Sequence, residues 1–283
     1  MNDFTRENLS YFGLYAKMLR AQKKLVPEYL SFGQDKDQYL LYYAPEKPVG
    51  ADAAVSDKTV LWVHGGGWNA GSPKFFDFVG QCIAGAGYPF VSLGYRLSPK
   101  NKYPVQISDV CAGYKAALEF LKTKGSTSPR IVVTGSSAGA HLSSILCYSP
   151  KAQADYGVDV SHIIGYIGIG GPYCFQEGQG WVLRTLLQQL FEKDYDRMQG
   201  EPCALMGKSS IPMLLIQSEH DGLIDYSCAT RMAEKAASLG NRCELYPVVG
   251  KRNTHSWYTA GMFLETRKEN ATLDKFFNWI EGL

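Results

Sequence analysis

The stretch RIVVTGSSAGAHL, residues 130–142, decides the fold. It opens on a short Val/Ile-rich run that predicts a buried strand, and it closes on residues that favour a helix. Between the two lies Gly135-Ser136-Ser137-Ala138-Gly139, a G-x-S-x-G pattern at the predicted strand-to-helix turn. Glycines allow a tight turn that lifts Ser137 above the sheet at a helix N-terminus, where developing negative charge is favoured. The pattern predicts Ser137 as a nucleophile, while the side chain of Ser136 is expected to point elsewhere.

A second glycine-rich stretch, His64-Gly65-Gly66-Gly67-Trp68, follows the predicted strand 59–63. Its successive glycines leave backbone N–H groups bare and free to converge on an anion. Placed beside the serine turn, the amides of Gly66, Gly67 and Ala138 would hold the oxyanion of a tetrahedral intermediate. Sequence does not decide which glycines donate, and a turn without a chemical role is the alternative.

Short apolar runs alternate with helical patterns along the whole chain, and no repeat or linker divides it. This alternation predicts one α/β domain, residues 1–283, with a mostly parallel sheet covered by helices on both faces. The predicted strands are 38–43, 59–63, 89–93, 130–134, 163–169, 213–217 and 244–249, and the predicted helices are 109–122, 137–148, 226–239 and 273–280.

Two segments fall outside this alternation. In the N-terminal segment 1–30, Tyr11, Leu14 and Met18 recur at helical spacing, and a long insertion between strands has apolar residues at a similar period from Val182 to Phe191. Each predicts an amphipathic helix. A helix inserted there could pack over the mouth of the sheet and shape a pocket; the alternative is that both helices only complete the core or form a homodimer contact.

The motifs together resemble those of the α/β-hydrolases, in particular the esterase group with an HGGG loop, which is related to hormone-sensitive lipase and to kynurenine formamidase-like enzymes. The resemblance covers most of the chain and includes Gly94-Tyr95-Arg96-Leu97-Ser98-Pro99, which is similar to the YRL-x-P segment of the group. Arg96 and Asp109 are interpreted as a structural pair. Residues 1–30 and 172–207 match no motif, and in the family the equivalent regions form a variable helical cap.

A serine hydroxyl needs a base and an orienting carboxylate, which follow it in the order acid, then histidine, in this fold. The predicted strand 213–217 leads into Ser218-Glu219-His220-Asp221-Gly222, where the family keeps its acid, and Asp221 is the predicted carboxylate. The alternative, Asp225, precedes a helical run and is more simply an N-cap. Glu219 is interpreted as a surface residue.

Five histidines compete for the role of base. His255 follows the last predicted strand, where the family's catalytic histidine falls, and it is the predicted base. His64 is expected to brace the glycine loop, and His141 is expected to be a packed or hydrogen-bonded helix residue. His162 and His220 have no assigned role.

These residues predict acyl transfer to water by a serine hydrolase that cleaves a small-molecule carboxylic ester with a short or aromatic acyl group. Arylformamidase activity on the amide N-formylkynurenine and acyl transfer or cyclisation by the same residues are alternatives, and a binding module is a further one. Aromatic residues near the motifs, among them Trp68, Trp181 and Trp257, hint at an aromatic pocket. No cofactor or metal is expected, because no histidine or cysteine spacing suggests a metal site.

Composition narrows the classes further. The 283 residues are 45% hydrophobic, and the net charge of +2 is too small to suggest nucleic-acid binding or a grip on anionic lipid. The N-terminus does not resemble a signal peptide, and no apolar run approaches membrane-spanning length. Seven cysteines without a CxxC pair predict reduced thiols, and the expected location is cytoplasmic.

Overall fold

The centre of the fold is a sheet of eight strands within the described residues. The computed structural model describes residues 2–21, 23–46, 56–175 and 180–283. The strands are β1 (Glu28–Ser31), β2 (Tyr39–Tyr43), β3 (Lys58–Val63), β4 (Phe90–Leu93), β5 (Arg130–Ser136), β6 (Ile163–Ile169), β7 (Met213–Gln217) and β8 (Cys243–Pro247). Their order across the sheet is β1-β2-β4-β3-β5-β6-β7-β8. The first two pairings are antiparallel, and the other five are parallel, as predicted.

Strands β2 to β8 all correspond to runs predicted from the sequence, whereas β1 was not predicted. Three of its four residues are exposed. A short, exposed edge strand has no continuous apolar run, so it leaves no pattern to recognise. The parallel strands are buried on both sides: in β3, Leu61 and Val63 pack into one core and Val60 and Trp62 into the other, and all four are inaccessible to solvent.

Helices cover both faces of the sheet. They are α1 (Asp3–Arg20), α2 (Asp77–Gly85), α3 (Val105–Thr123), α4 (Ala138–Tyr148), α5 (Pro150–Tyr156), α6 (Trp181–Leu190), α7 (Pro202–Leu205), α8 (Ser227–Ser238), α9 (His255–Thr259) and α10 (Ala271–Glu281), with 3₁₀ turns at Arg197–Gly200 and Gly261–Leu264. Side chains of α3, α4 and α8 pack on one face, and those of α2 and α10 pack on the other. The serine turn therefore lies at the carboxyl edge of a central strand, with β5 flanked by β3 and β6.

The two amphipathic helices predicted outside the alternation both form. α1 begins earlier than its apolar stripe suggested and packs against α9. The described part of the insertion holds α6, the 3₁₀ turn at Arg197–Gly200 and α7. Residues 176–179 of the predicted cap, and residues 1 and 22 of the N-terminal segment, lie outside the described residues.

The expectation that the cysteines are reduced thiols is wrong for Cys174 and Cys203. Cys174 and Cys203 form a disulfide with 5.7 Å between their Cα atoms, although they are 29 residues apart in sequence. The backbone explains the pairing, because the amide of Cys203 donates to the carbonyl of Tyr173 at 3.0 Å and so fastens α7 beside the segment that follows β6. Disulfides are rare in reducing compartments. The cysteines therefore no longer support the predicted cytoplasmic location. Within the described ranges, no helix combines the length and the apolar character needed to cross a membrane.

Candidate active site

Ser137 lies at the turn between β5 and α4 with φ 52° and ψ −120°, a left-handed backbone that L-residues rarely adopt. The two flanking glycines are required because backbone segments approach them closely. A Cβ at Gly135 would lie 2.5 Å from the carbonyl of Gly139, and a Cβ at Gly139 would collide with the carbonyl oxygen of Val63. Close packing within the serine turn, at Gly135, and of the turn against the end of β3, at Gly139, thus accounts for the G-x-S-x-G pattern.

The glycine loop packs directly against this turn. A Cβ at Gly65 would lie 2.9 Å from the carbonyl oxygen of Ser136. Gly66 and Gly67 have φ of 117° and 57°, which glycine adopts without strain. Within the described part of the chain, no protein acceptor takes a hydrogen bond from the amides of Gly66, Gly67 or Ala138. These N–H groups are available to a bound anion.

Two buried histidines hold the glycine loop in place. The Nδ1 of His64 bonds the carbonyl of Gly65 at 2.8 Å, and the His64 ring stacks on Tyr95 with 4.3 Å between centroids. His141 accepts a bond on Nδ1 from the indole of Trp68 at 3.2 Å, and its Nε2 donates to the carbonyl of Gly200 at 2.7 Å. Burial lowers the pKa of both imidazoles to about 4, so both are neutral near pH 7. His64 braces the loop and His141 is a hydrogen-bonded helix residue, as the sequence predicts.

His255, the first residue of α9, is paired with Asp221 in the loop after β7. Its Nδ1 donates to Oδ2 of Asp221 at 2.7 Å. Because a carboxylate oxygen accepts, Nδ1 carries the proton, and Nε2 of the neutral ring keeps its lone pair. The other oxygen of Asp221 accepts the amides of Leu223 and Ile224 at 2.8 Å each, and the Tyr258 hydroxyl also donates to Oδ2. The carboxylate is thus fully buried and fixed from several sides.

The alternatives to Asp221 lie elsewhere. Asp225 accepts a bond from the amide of Ser227 at 2.8 Å, at the start of α8, as an N-terminal capping residue does. Glu219 is exposed.

Arg96 and Asp109 form a two-point ion pair, with bonds of 2.8 and 2.7 Å, and are the structural pair that was predicted.

The pKa of His255 reflects opposing effects. Burial lowers it, but the charge and hydrogen bond of Asp221, together with the charge of Glu7, raise the pKa of His255 above its ordinary value of 6.5. The ring therefore gains a proton more readily than a free histidine does. A base that must take a proton during a reaction benefits from this shift.

Ser137 and His255 line the same cavity, of about 590 Å³. The segment between β6 and the cap joins them, because the carbonyl of Ile169 accepts the amide of Ser137 at 2.8 Å and a Cβ at Gly170 would lie 3.2 Å from Cε1 of His255. Gly66 and Gly67 line the cavity, and Ala138 lies buried in the first turn of α4. The structure thus gathers all the predicted site residues at one edge of the sheet.

The walls of the cavity come from α1, the glycine loop and α6. Of the three tryptophans that hinted at a pocket, Trp181 lines the cavity, while Trp68 and Trp257 are buried residues outside its lining. The other aromatic side chains of the described lining come from α1 and from the segment before α2: Phe4, Tyr11, Tyr15, Phe75 and Phe76.

Sequence reasoning missed Glu7 of α1. Its carboxylate is buried and accepts the amides of His255 and Ser256 at 2.5 and 2.8 Å. A signal existed, because Glu7 stands four residues before Tyr11 and seven before Leu14, on the apolar face of the helix. A charged residue on an apolar face indicates a buried partner.

A serine on a strand-to-helix turn, at the carboxyl edge of a mostly parallel sheet, places the chain among the α/β-hydrolases. The BD-FAE family model matches residues 48–236, more than half of the chain. The chain therefore belongs to the BD-FAE family.

Relatives and solved structures agree with this class. The chain is 25% identical over 251 residues to ethyl acetate hydrolase from Pseudomonas putida, covering 84% of this chain and 78% of that protein. It is 38% identical over 88 residues to carboxylesterase NlhH from Mycobacterium tuberculosis, covering 31% of this chain and 28% of that protein. Among solved structures, esterase B from Lactobacillus rhamnosis has a TM-score of 0.77 at 19% identity, covering 99% of this chain and 93% of that one. A hormone-sensitive lipase from a metagenome library has a TM-score of 0.69 at 22% identity, covering 95% and 90%.

These findings confirm the predicted α/β-hydrolase fold and the esterase group. The chain is a carboxylesterase-like hydrolase.

Proposed function

We propose that the chain hydrolyses carboxylic esters through an acyl-enzyme on Ser137, with His255 as general base and Asp221 as the residue that orients it. The observation that carries this proposal is the cavity in which Ser137, the His255–Asp221 pair and the unpaired amides of the glycine loop meet. The amides of Gly66, Gly67 and Ala138 are the proposed oxyanion donors.

In the first half of the reaction, Oγ of Ser137 attacks the ester carbonyl while Nε2 of His255 takes the hydroxyl proton. The oxyanion forms against the unpaired amides, which exist before substrate binds and need no reorganisation. The intermediate then collapses, the bond to the alcohol oxygen breaks, and His255 returns the proton to the leaving alcohol.

In the second half, a water molecule replaces the alcohol and attacks the acyl-enzyme. His255 takes one water proton, the tetrahedral intermediate forms again, and the bond to Ser137 breaks with return of the proton to Oγ. The products are a carboxylic acid and an alcohol, and the enzyme is regenerated. Asp221 stabilises the imidazolium in both halves through the Nδ1–Oδ2 bond.

The lining of the cavity favours an uncharged, apolar ester. Apart from His255, the described lining residues carry no carboxylate, ammonium or guanidinium group, and most are aliphatic or aromatic. A volume of about 590 Å³ is in the usual range for small-molecule sites. The relative named ethyl acetate hydrolase is consistent with a small ester substrate.

The same lining argues against N-formylkynurenine. That molecule has an ammonium and a carboxylate, and desolvating charges without partners is costly. The described lining offers neither an acidic nor a second basic side chain to pair with them. Ester hydrolysis is therefore the function that the cavity chemistry supports best.

A panel of p-nitrophenyl esters from acetate to decanoate, run beside N-formylkynurenine, tests the proposal. We expect ester turnover in the wild type and loss of at least about 10³-fold in Ser137→Ala. The matched control Ser136→Ala removes the neighbouring hydroxyl and should retain most of the activity. Equal ester turnover by wild type and Ser137→Ala, or formamide turnover far above ester turnover, would overturn the proposal.

A further inference from the structure

The N-terminal helix is fastened to the segment that carries His255. The carboxylate of Glu7 is 1% exposed, with Oε2 accepting the amide of His255 at 2.5 Å and Oε1 accepting the amide of Ser256 at 2.8 Å. These are long-range contacts, because the bonded residues are 248 and 249 positions apart. One side chain of α1 therefore fixes the backbone from which the imidazole projects.

The first backbone amides of α9 need a hydrogen-bond acceptor from outside the helix. The first amides of a helix have no intrahelical acceptor and are commonly capped by a neighbouring side chain. Thr254 stands at that position, but it makes no capping bond, and its buried hydroxyl has no hydrogen-bond partner among the described residues. Glu7 supplies from another helix the acceptor that Thr254 does not.

Further contacts on either side of Glu7 strengthen this attachment. Arg6 donates to Oδ1 of Asn253 at 2.6 Å, and the hydroxyl of Ser10 lies 2.5 Å from that of Ser256. Burying a carboxylate is costly unless donors compensate it, and the amides of His255 and Ser256 are those donors for Glu7. The His255 segment is thus held by α1 on one side and by Asp221 on the other.

We propose that Glu7 is a positioning residue for His255: its two backbone bonds fix the orientation of the imidazole, and its negative charge stabilises the imidazolium that forms when Ser137 is deprotonated. This inference rests on the proposed function, in which His255 is the base. α1 is then a part of the catalytic apparatus as well as a wall of the cavity.

The effect of the Glu7 charge on His255 can be separated from the effect of its two backbone hydrogen bonds. In the described chain, the ionisable groups that face His255 are Asp221 from the loop after β7, Glu7 and Tyr11 from α1, and Tyr258 from α9. Burial, reinforced by nearby carboxylates, raises the pKa of both tyrosines, so they stay neutral. Asp221 and Glu7 are the groups that raise the pKa of His255. Removing the Glu7 charge should lower it.

The test compares Glu7→Gln, Glu7→Asp and the control Glu265→Gln. Glu265 is also a buried carboxylate that fastens α1, through Lys17 at 3.1 Å, but it does not contact the His255 backbone. The pKa of His255 is measured by NMR titration of its ring carbon, which requires no turnover, and kcat and KM are measured with p-nitrophenyl butyrate. Circular dichroism establishes that each variant is folded.

We expect Glu7→Gln to lower the pKa of His255 and to reduce kcat by about tenfold or more, with KM changed by less than about twofold. Glu7→Asp keeps the charge but is one methylene shorter, so kcat should fall while the pKa of His255 stays near that of the wild type. If Glu7→Gln does not fold, the comparison of kcat between Glu7→Asp and the wild type tests the positioning role. Glu265→Gln should resemble the wild type in both measurements.

Failure of the positioning role of Glu7 can be distinguished from failure of the proposed function. Full wild-type hydrolysis that persists in both Glu7 variants, with an unchanged pKa of His255, would overturn the positioning role and leave the proposed function intact. A wild type that hydrolyses no ester would overturn the proposed function, and the catalytic role of Glu7 with it.

Discussion

Acidification should destabilise this fold through His141, a buried histidine that joins three parts of the site. The side chain is inaccessible to solvent, accepts the indole N–H of Trp68 and donates to the carbonyl of Gly200. Protonating Nδ1 would set two N–H groups against each other. Burial already lowers the pKa of His141 to about 4.

The sign and size of the effect follow from the two pKa values of His141. In the unfolded chain the imidazole has its ordinary pKa of 6.5, so between pH 6.5 and about 4 the unfolded state binds a proton that the folded state does not. Stability is therefore full above pH 6.5 and falls as the pH drops through this window. The difference between 6.5 and about 4, at about 1.4 kcal/mol per pKa unit, gives a loss of about 3 kcal/mol.

The assay is urea unfolding of the wild type and of His141→Gln at pH 7 and pH 4. Glutamine fills similar space and retains a donor and an acceptor, but it does not titrate. Other titrating groups, including His64 with its similarly lowered pKa, remain in both proteins and cancel in the comparison. We expect the wild type to lose about 2–3 kcal/mol more than the variant on acidification. An equal loss in the two proteins would refute the reasoning.

Three more outcomes are expected. Because the pKa of His255 is raised and the base must be neutral, kcat/KM should fall on acidification with a midpoint above 6.5; a midpoint below 6.5 in a pH–rate profile would contradict this. Val182→Trp places a larger side chain on the α6 wall and narrows the cavity. The ratio of kcat/KM for p-nitrophenyl decanoate to kcat/KM for p-nitrophenyl butyrate should fall by about tenfold. An unchanged ratio would place the acyl chain elsewhere. Gly139→Ala forces a Cβ against the carbonyl of Val63 and should lower the free energy of unfolding by about 1–3 kcal/mol, whereas Gly282→Ala, with its nearest contact at 3.6 Å, should have little effect in the same urea titration.

The sequence predicts this sheet well because its central strands are buried on both faces. Such strands need continuous Val/Ile/Leu runs, and each run ends where a short polar or glycine-rich segment begins. The carboxyl ends of parallel strands meet at one edge, so the segments after β3, β5 and β7 had to lie together. The serine motif itself predicts Ser137 at this edge, and the resemblance to the α/β-hydrolases implies Asp221 there, in the segment after β7.

Features that depend on how separate elements dock could not be predicted in the same way. Glu7 contacts His255 because α1 packs against α9 and the 3₁₀ turn that follows it, and helical periodicity gives no direction for that docking. Cys174 and Cys203 meet because α7 returns to the end of β6, which no cysteine spacing reveals. Each of these contacts is set by tertiary packing between segments that have no shared local pattern.

The most direct test of the account is covalent labelling with a fluorophosphonate, which phosphorylates a serine that an adjacent base has activated. Intact-mass measurement and peptide mapping would locate the adduct in wild type and in His255→Gln. The account predicts one adduct, on Ser137, in the wild type and a labelling rate at least about 10²-fold lower in the variant. An adduct on another residue, or equal labelling rates in the two proteins, would contradict it.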